Sequence, residues 1–140
     1  MKKINLESLQ VKKKNVVPVL TARQAMISIN KEALLCFFPQ LETIDEKMTC
    51  YIELGQDEEN LQLHIRASLE YVEGAAFMKP KQSGHKTVNE WICHGKALTE
   101  FIKGIAGCND SSVPCRIQSQ ARTPEGWYPV ITTYWKSKKP

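Results

Sequence analysis

Apolar and polar residues alternate most cleanly over "MTCYIEL" and "LQLHIRA". Met48, Cys50, Ile52 and Leu54 fall on one side of an extended chain, with Thr49, Tyr51 and Glu53 on the other. Leu61, Leu63, Ile65 and Ala67 form a second such side, opposed by Gln62, His64 and Arg66. Strict alternation marks a strand with one buried face. Joined by "GQDEEN", the two runs predict an antiparallel hairpin with one wet face. "SLEYVEGAAFM" predicts a third strand that ends near Gly74.

Upstream, "VVPVL" is apolar but broken by Pro18, which suits an edge strand or an extended arm. "AMISIN" alternates through Ile27 and Ile29 and predicts a short strand. Asn30 can accept from the free N–H groups of a following helix, predicted over residues 31–38 and stopped near Pro39. The second half repeats the order. "VNEWIC" predicts a strand. "GKALTEFIKGIAG" places Ala97, Leu98, Phe101, Ile102 and Ile105 at helical spacing, with Gly107 as the stop. "VPCRIQSQA" alternates through Val113, Cys115 and Ile117. "WYPVITTYW" is β-branched and aromatic, with Pro129 suggesting an edge or a bulge.

These halves share words as well as order. Ala33, Leu34 and Phe37 return as Ala97, Leu98 and Phe101 at one offset, and Cys50 and Ile52 return as Cys115 and Ile117 one residue further on. The expected fold is therefore α+β: two tandem βαββ(β) repeat units, about 25–78 and 86–135, forming one pseudo-two-fold domain of mainly antiparallel sheet. A single unit has too small a sheet face to bury alone, which is the physical reason for pairing two. Phe37 and Phe101 are expected in equivalent buried positions. In element order, residues 25–135 resemble one domain of the DNA sliding clamps. That resemblance rests on topology without a diagnostic motif, and no residue role is carried over from it. It implies helices facing phosphates, for which the first helix offers Lys31 and the second Lys96 and Lys103.

Charge refines this picture. The formal net charge is +4, and its basic part sits at the ends. Residues 1–14 hold five lysines against Glu7, and residues 136–140 hold Lys136, Lys138 and Lys139. The body between them is mildly acidic. Domain organisation is read as a basic N-terminal arm or edge segment (1–24), one α+β domain (25–135) and a basic tail (136–140). No apolar run approaches the ~18 residues that span a bilayer, so no membrane partner is expected. The opening "MKKINLESLQVKKKN" lacks the apolar core of a secretory signal. Five cysteines, an odd number, then suit reduced thiols in a cytoplasm.

Candidate chemistry is sparse. His85, Cys93, His94, Cys108 and Cys115 lie in one half but lack the tight ligand pairs that zinc takes. No metal, no cofactor and no disulfide is expected, although the short separation of Cys108 and Cys115 leaves a loop within reach of a bond. The chain contains no Walker-type loop, GxGxxG or GxSxG, and no enzyme is expected. Wet strand positions instead carry Tyr51, His64 and Arg66, then Arg116, Gln118, Gln120 and Arg122 beside Trp127, Tyr128, Tyr134 and Trp135. Aromatic rings with arginine on a sheet face suit stacking on nucleic-acid bases. The expectation is a non-enzymatic binding module acting on nucleic acid or a nucleic-acid-handling complex. Its expected contacts are Lys12, Lys13, Lys14, Arg116, Arg122, Tyr134, Trp135, Lys136, Lys138 and Lys139. The alternatives are a protein-interaction factor, an inhibitor or adaptor that adds to a partner's sheet edge, and a clamp-like accessory protein.

Overall fold

A computed structural model describes residues 1–3, 16–82, 84 and 86–138. Its strands are β1 (Val19–Ala22), β2 (Met26–Asn30), β3 (Cys50–Gln56), β4 (Leu63–Ser68), β5 (Ala76–Pro80), β6 (Glu90–His94), β7 (Val113–Ile117) and β8 (Tyr128–Ile131). Helix α1 (Lys31–Phe37) follows β2, α2 (Lys96–Ala106) follows β6, and a 3₁₀ turn (Tyr134–Lys138) follows β8. All pairings are antiparallel, in the cyclic order β1-β2-β6-β5-β3-β4-β8-β7, and β7 pairs back onto β1. The sheet is a closed eight-stranded barrel.

This overturns the expected α+β pair of βαββ repeats. The individual strands were legible, but their partners were not. β5 bridges β3 and β6, so the first half is stitched into the second and forms no separate unit. The repeated words also occupy unlike places. In α1, Ala33 and Leu34 are buried, whereas in α2 the buried residues are Thr99, Ile102 and Ala106. Phe37 packs against Phe38 and Tyr128 with centroids 6.3 and 5.6 Å away, whereas Phe101 is 48% exposed. The internal-repeat reading falls with it, and so does the clamp-like topology that rested on the same order. Only Cys50/Cys115 and Ile52/Ile117 are alike, because each pair simply occupies inward positions of a strand.

Period-two alternation builds the core. Leu20 and Ala22, Ile27 and Ile29, Cys50 and Ile52, Leu63 and Ile65, Val113, Cys115 and Ile117 all point inward and are at most 1% exposed. Trp91 fills the largest share of the interior, with its indole N–H donating to the Met48 carbonyl at 2.8 Å. α1 touches β1 and β2 and also β4, which stands across the ring from them, so it covers one mouth of the barrel. The Tyr128 hydroxyl donates to the Cys36 carbonyl at 3.0 Å and fastens α1 to β8. α2 starts at the other end of β2, where Gly95 N–H donates to the Ala25 carbonyl. Gly107 then ends α2 in the left-handed conformation, at φ +67°.

Asn30 ties the first strands together. Its side-chain oxygen accepts from Ala33 N–H, as the cap of α1, and from Val19 N–H, both at 3.0 Å. Its amide donates to the Val17 carbonyl at 2.7 Å. Residues 19–22, expected as an edge or arm, are therefore an integral barrel strand paired on both sides. β8 is likewise paired on both sides despite Pro129, which stands opposite His64 of β4 and whose carbonyl accepts Gln118 N–H at 2.9 Å on the β7 side, just past the end of that ladder. The predicted third strand starts after Gly74, at Ala76, and the last strand stops at Ile131 before the 3₁₀ turn.

Candidate functional site

The expected contact residues fall into two groups. Lys12, Lys13, Lys14 and Lys139 lie outside the described residues. Arg116, Arg122, Tyr134, Trp135, Lys136 and Lys138 all lie on the β7–β8 strand pair and the segments at its two ends. Arg116 is exposed on β7 and faces Val19 on one side and Ile131 on the other. Arg122 is exposed in the β7–β8 connection. Lys136 and Lys138 lie on the 3₁₀ turn, which packs back against β7. Their ammonium groups stand 5.7 Å from the Trp135 ring and 5.0 Å from the Tyr134 ring.

The aromatic side of the expectation divides. Trp135 is half-buried, packs on the core and donates its indole N–H to the Ala106 carbonyl at 3.2 Å, so it anchors the 3₁₀ turn to the end of α2. Tyr128 is buried. Burial raises its phenol above the ordinary range, partly offset by the nearby Arg122 guanidinium. Neither ring lies open on the surface. Trp127 is the better placed. A Cβ on Gly55 would sit 3.2 Å from its ring, so glycine at that strand position lets the indole lie against the sheet. The Arg66 guanidinium covers the ring at 4.2 Å and forms a two-pronged pair with Glu53, at 3.2 and 3.1 Å. Gly126, at φ +90°, lies between Arg122 and Arg66: a Cβ there would be 3.4 Å from Arg122 Nη2 and 3.8 Å from Arg66 Cδ.

Beside Trp127 is an open cavity of about 280 Å³, lined by Gly55, Gln56, Asp57, His64, Thr123, Glu125 and Trp127. A larger groove of about 770 Å³ runs between α2, the β3–β4 turn and the end of β8, with Leu61, Phe101, Gly104 and Ile131 among its walls. Among the described residues no group of three or more His, Cys, Asp or Glu side chains stands where it could hold a metal ion. Cys50 and Cys115 are sealed in the core, and burial pushes both thiols up to about 12. His64 lies on the outer face as expected, with Nδ1 3.1 Å from the Gln62 carbonyl oxygen, and no cysteine is paired with it.

Sequence reasoning missed one cluster. Tyr51 lies on the wet face that its place in the alternation implies, and two further rings join it there. Tyr71 meets it edge-on with centroids 5.6 Å apart, and Phe77 lies 5.1 Å away on β5. The usable signal was the inward-outward step of Met78 and Phe77, which appears only once β5 is started at Ala76. Among the described residues each of the eight strands is paired on both sides. Among the described residues no helix is long and apolar enough to cross a membrane. Comparison of the chain with known protein families, curated proteins and solved structures gives no match.

Proposed function

We propose that this chain is a non-enzymatic nucleic-acid-binding module that meets phosphates along the β7–β8 pair. The observation that carries this reading is the segregation of charge on the barrel. Residues 113–138 hold Arg116, Arg122, Lys136 and Lys138 against Glu125 alone. Residues 40–75, which form β3, β4 and their connections, hold nine carboxylates against Lys47 and Arg66. Since β4 pairs with β8, the acidic and basic strands adjoin, and a polyanion is attracted to the β7–β8 strands and repelled by the neighbouring β3–β4 ones. β1 runs antiparallel to β7, and the Pro18 carbonyl accepts Ile117 N–H, so the N-terminal segment joins the barrel beside the same strand.

The test is a salt titration with single- and double-stranded oligonucleotides. Counterion release makes log K fall with log salt by about 0.9 per phosphate contact on duplex and about 0.7 on single strands. Replacing Arg116, Arg122, Lys136 and Lys138 by glutamine should flatten the duplex slope by about 3 to 4 units if each meets one phosphate. An unchanged slope would remove the β7–β8 face from the interaction. No binding by the full chain at ~50 mM salt, where such contacts are strongest, would end the nucleic-acid reading.

A further inference from the structure

We infer that the outer face around Tyr51, Tyr71 and Phe77 is a docking surface for a protein partner that presents an apolar side chain flanked by lysine or arginine. Elsewhere on this face the barrel obeys its alternation: the outward positions of β3 and β4 carry Glu53, His64 and Arg66. At the β5 end it does not. Tyr71 is 73% exposed and Phe77 42%, and both rings lie against the Tyr51 ring, while Leu69, 46% exposed, stands two residues before Tyr71 in the same loop. Strand register explains the ring contacts. Tyr51 stands opposite Phe77 on one side and opposite Ser68 on the other, and the small serine leaves room for Tyr71 to fold back onto the ring from the β4–β5 loop.

Two exposed rings packed on a third, half-buried one mark an interaction site rather than scattered surface apolarity. Tyrosine and phenylalanine are the residues that interface centres favour. Charge then selects the partner. The β4–β5 loop carries Glu70 and Glu73, both exposed, with no cation between Leu69 and Ala75. Lys79, two residues beyond Phe77 on β5, bounds the acidic rim on that side. The surrounding excess of carboxylates repels phosphate, so stacking of nucleic-acid bases here is opposed by the field that favours a basic protein. The surface is separate from the β7–β8 face and does not depend on the proposed role of that face.

Full-length protein would be used to select from a phage-displayed library of random twelve-residue peptides, with Tyr71→Ser/Phe77→Ser protein as the counter-selection. Both positions are exposed, and circular dichroism with a urea midpoint would establish that the variant folds. The expected binders carry Leu, Phe or Trp among lysines and arginines. Their affinity should fall at least tenfold on Phe77→Ser, and also on Glu70→Lys/Glu73→Lys, which leaves the rings in place. Absence of any patch-dependent binder overturns the proposal. Binders indifferent to the glutamate reversals overturn its choice of a basic partner. Sedimentation showing self-association that Phe77→Ser abolishes would assign the patch to a second copy of this chain and overturn it likewise. Loss of oligonucleotide affinity on Phe77→Ser, with the β7–β8 variants unaffected, would reassign the patch to nucleic acid.

Discussion

Replacing Asn30 by alanine removes three hydrogen bonds at one point. The cap to Ala33 N–H contributes ~1 kcal/mol in typical helices. The bonds to Val19 N–H and the Val17 carbonyl add roughly 0.5–1.5 kcal/mol each, toward the low end because both groups are only partly buried. The expected loss is thus about 2–4 kcal/mol, or a melting temperature lower by roughly 6–12 °C for a domain of this size. Asn30→Asp separates the terms. Its carboxylate still accepts from both N–H groups and suits the positive end of α1, but it cannot donate to Val17 and sets an oxygen against that carbonyl. It should cost about half as much as alanine. Urea unfolding followed by the fluorescence of buried Trp91 measures both. A loss below about 0.5 kcal/mol for alanine, or equal losses for the two variants, would refute the three-bond account.

The strands were legible because each presents one face to the core. The alternation of Ile27 and Ile29, of Cys50 and Ile52, and of Leu63 and Ile65 carries over directly into burial. The β3–β4 hairpin was legible because its turn is short and its partners are adjacent in sequence. What period two cannot encode is which strands meet across long separations. β2 with β6, β1 with β7 and β4 with β8 are chosen by the shared interior, and no local residue names them. A few repeated apolar words filled that gap wrongly, since Ala97 and Phe101 are exposed where Ala33 is buried and Phe37 is packed.

Site legibility followed the same rule. Charge on the chain's last strand pair was readable, because solvent does not reorganise it: Arg116, Arg122, Lys136 and Lys138 lie on the surface as lysine and arginine usually do. The fate of aromatics was not readable, because a ring serves core and surface equally. Trp135 is a tether to Ala106 and Tyr128 a buried bolt to α1, whereas Phe77, which lies beyond a third strand expected to end near Gly74, is exposed on β5.

Further outcomes follow from burial and closure. Cys50 and Cys115 have folded-state pKa values raised to about 12 from an ordinary 9.0, so their stabilising effect is full below about pH 9 and is lost as pH rises towards 12, at about 1.4 kcal/mol per unit per thiol. The urea midpoint should therefore fall less between pH 8 and 10.5 in Cys50→Ala/Cys115→Ala than in the parent, and parallel falls would contradict this. Thr99 is fully buried with its hydroxyl unpartnered, so Thr99→Val should be neutral or stabilising by up to ~1 kcal/mol in thermal unfolding, and a clear loss would reveal a partner for that hydroxyl. Trp91→Phe orphans the Met48 carbonyl and leaves a void, at a cost of roughly 3 kcal/mol in urea unfolding, and a loss under 1 kcal/mol would mean the interior collapses around the smaller ring. Deleting residues 1–22 tests closure itself. It removes Leu20 and Ala22 from the core, unpairs one side each of β2 and β7, and turns a ring into an open sheet with two bare edges. The shortened chain should lose its cooperative unfolding transition and aggregate. A soluble product that still melts cooperatively near the parent temperature would show that β1 is the dispensable arm its proline suggested, and that the other seven strands hold together without it.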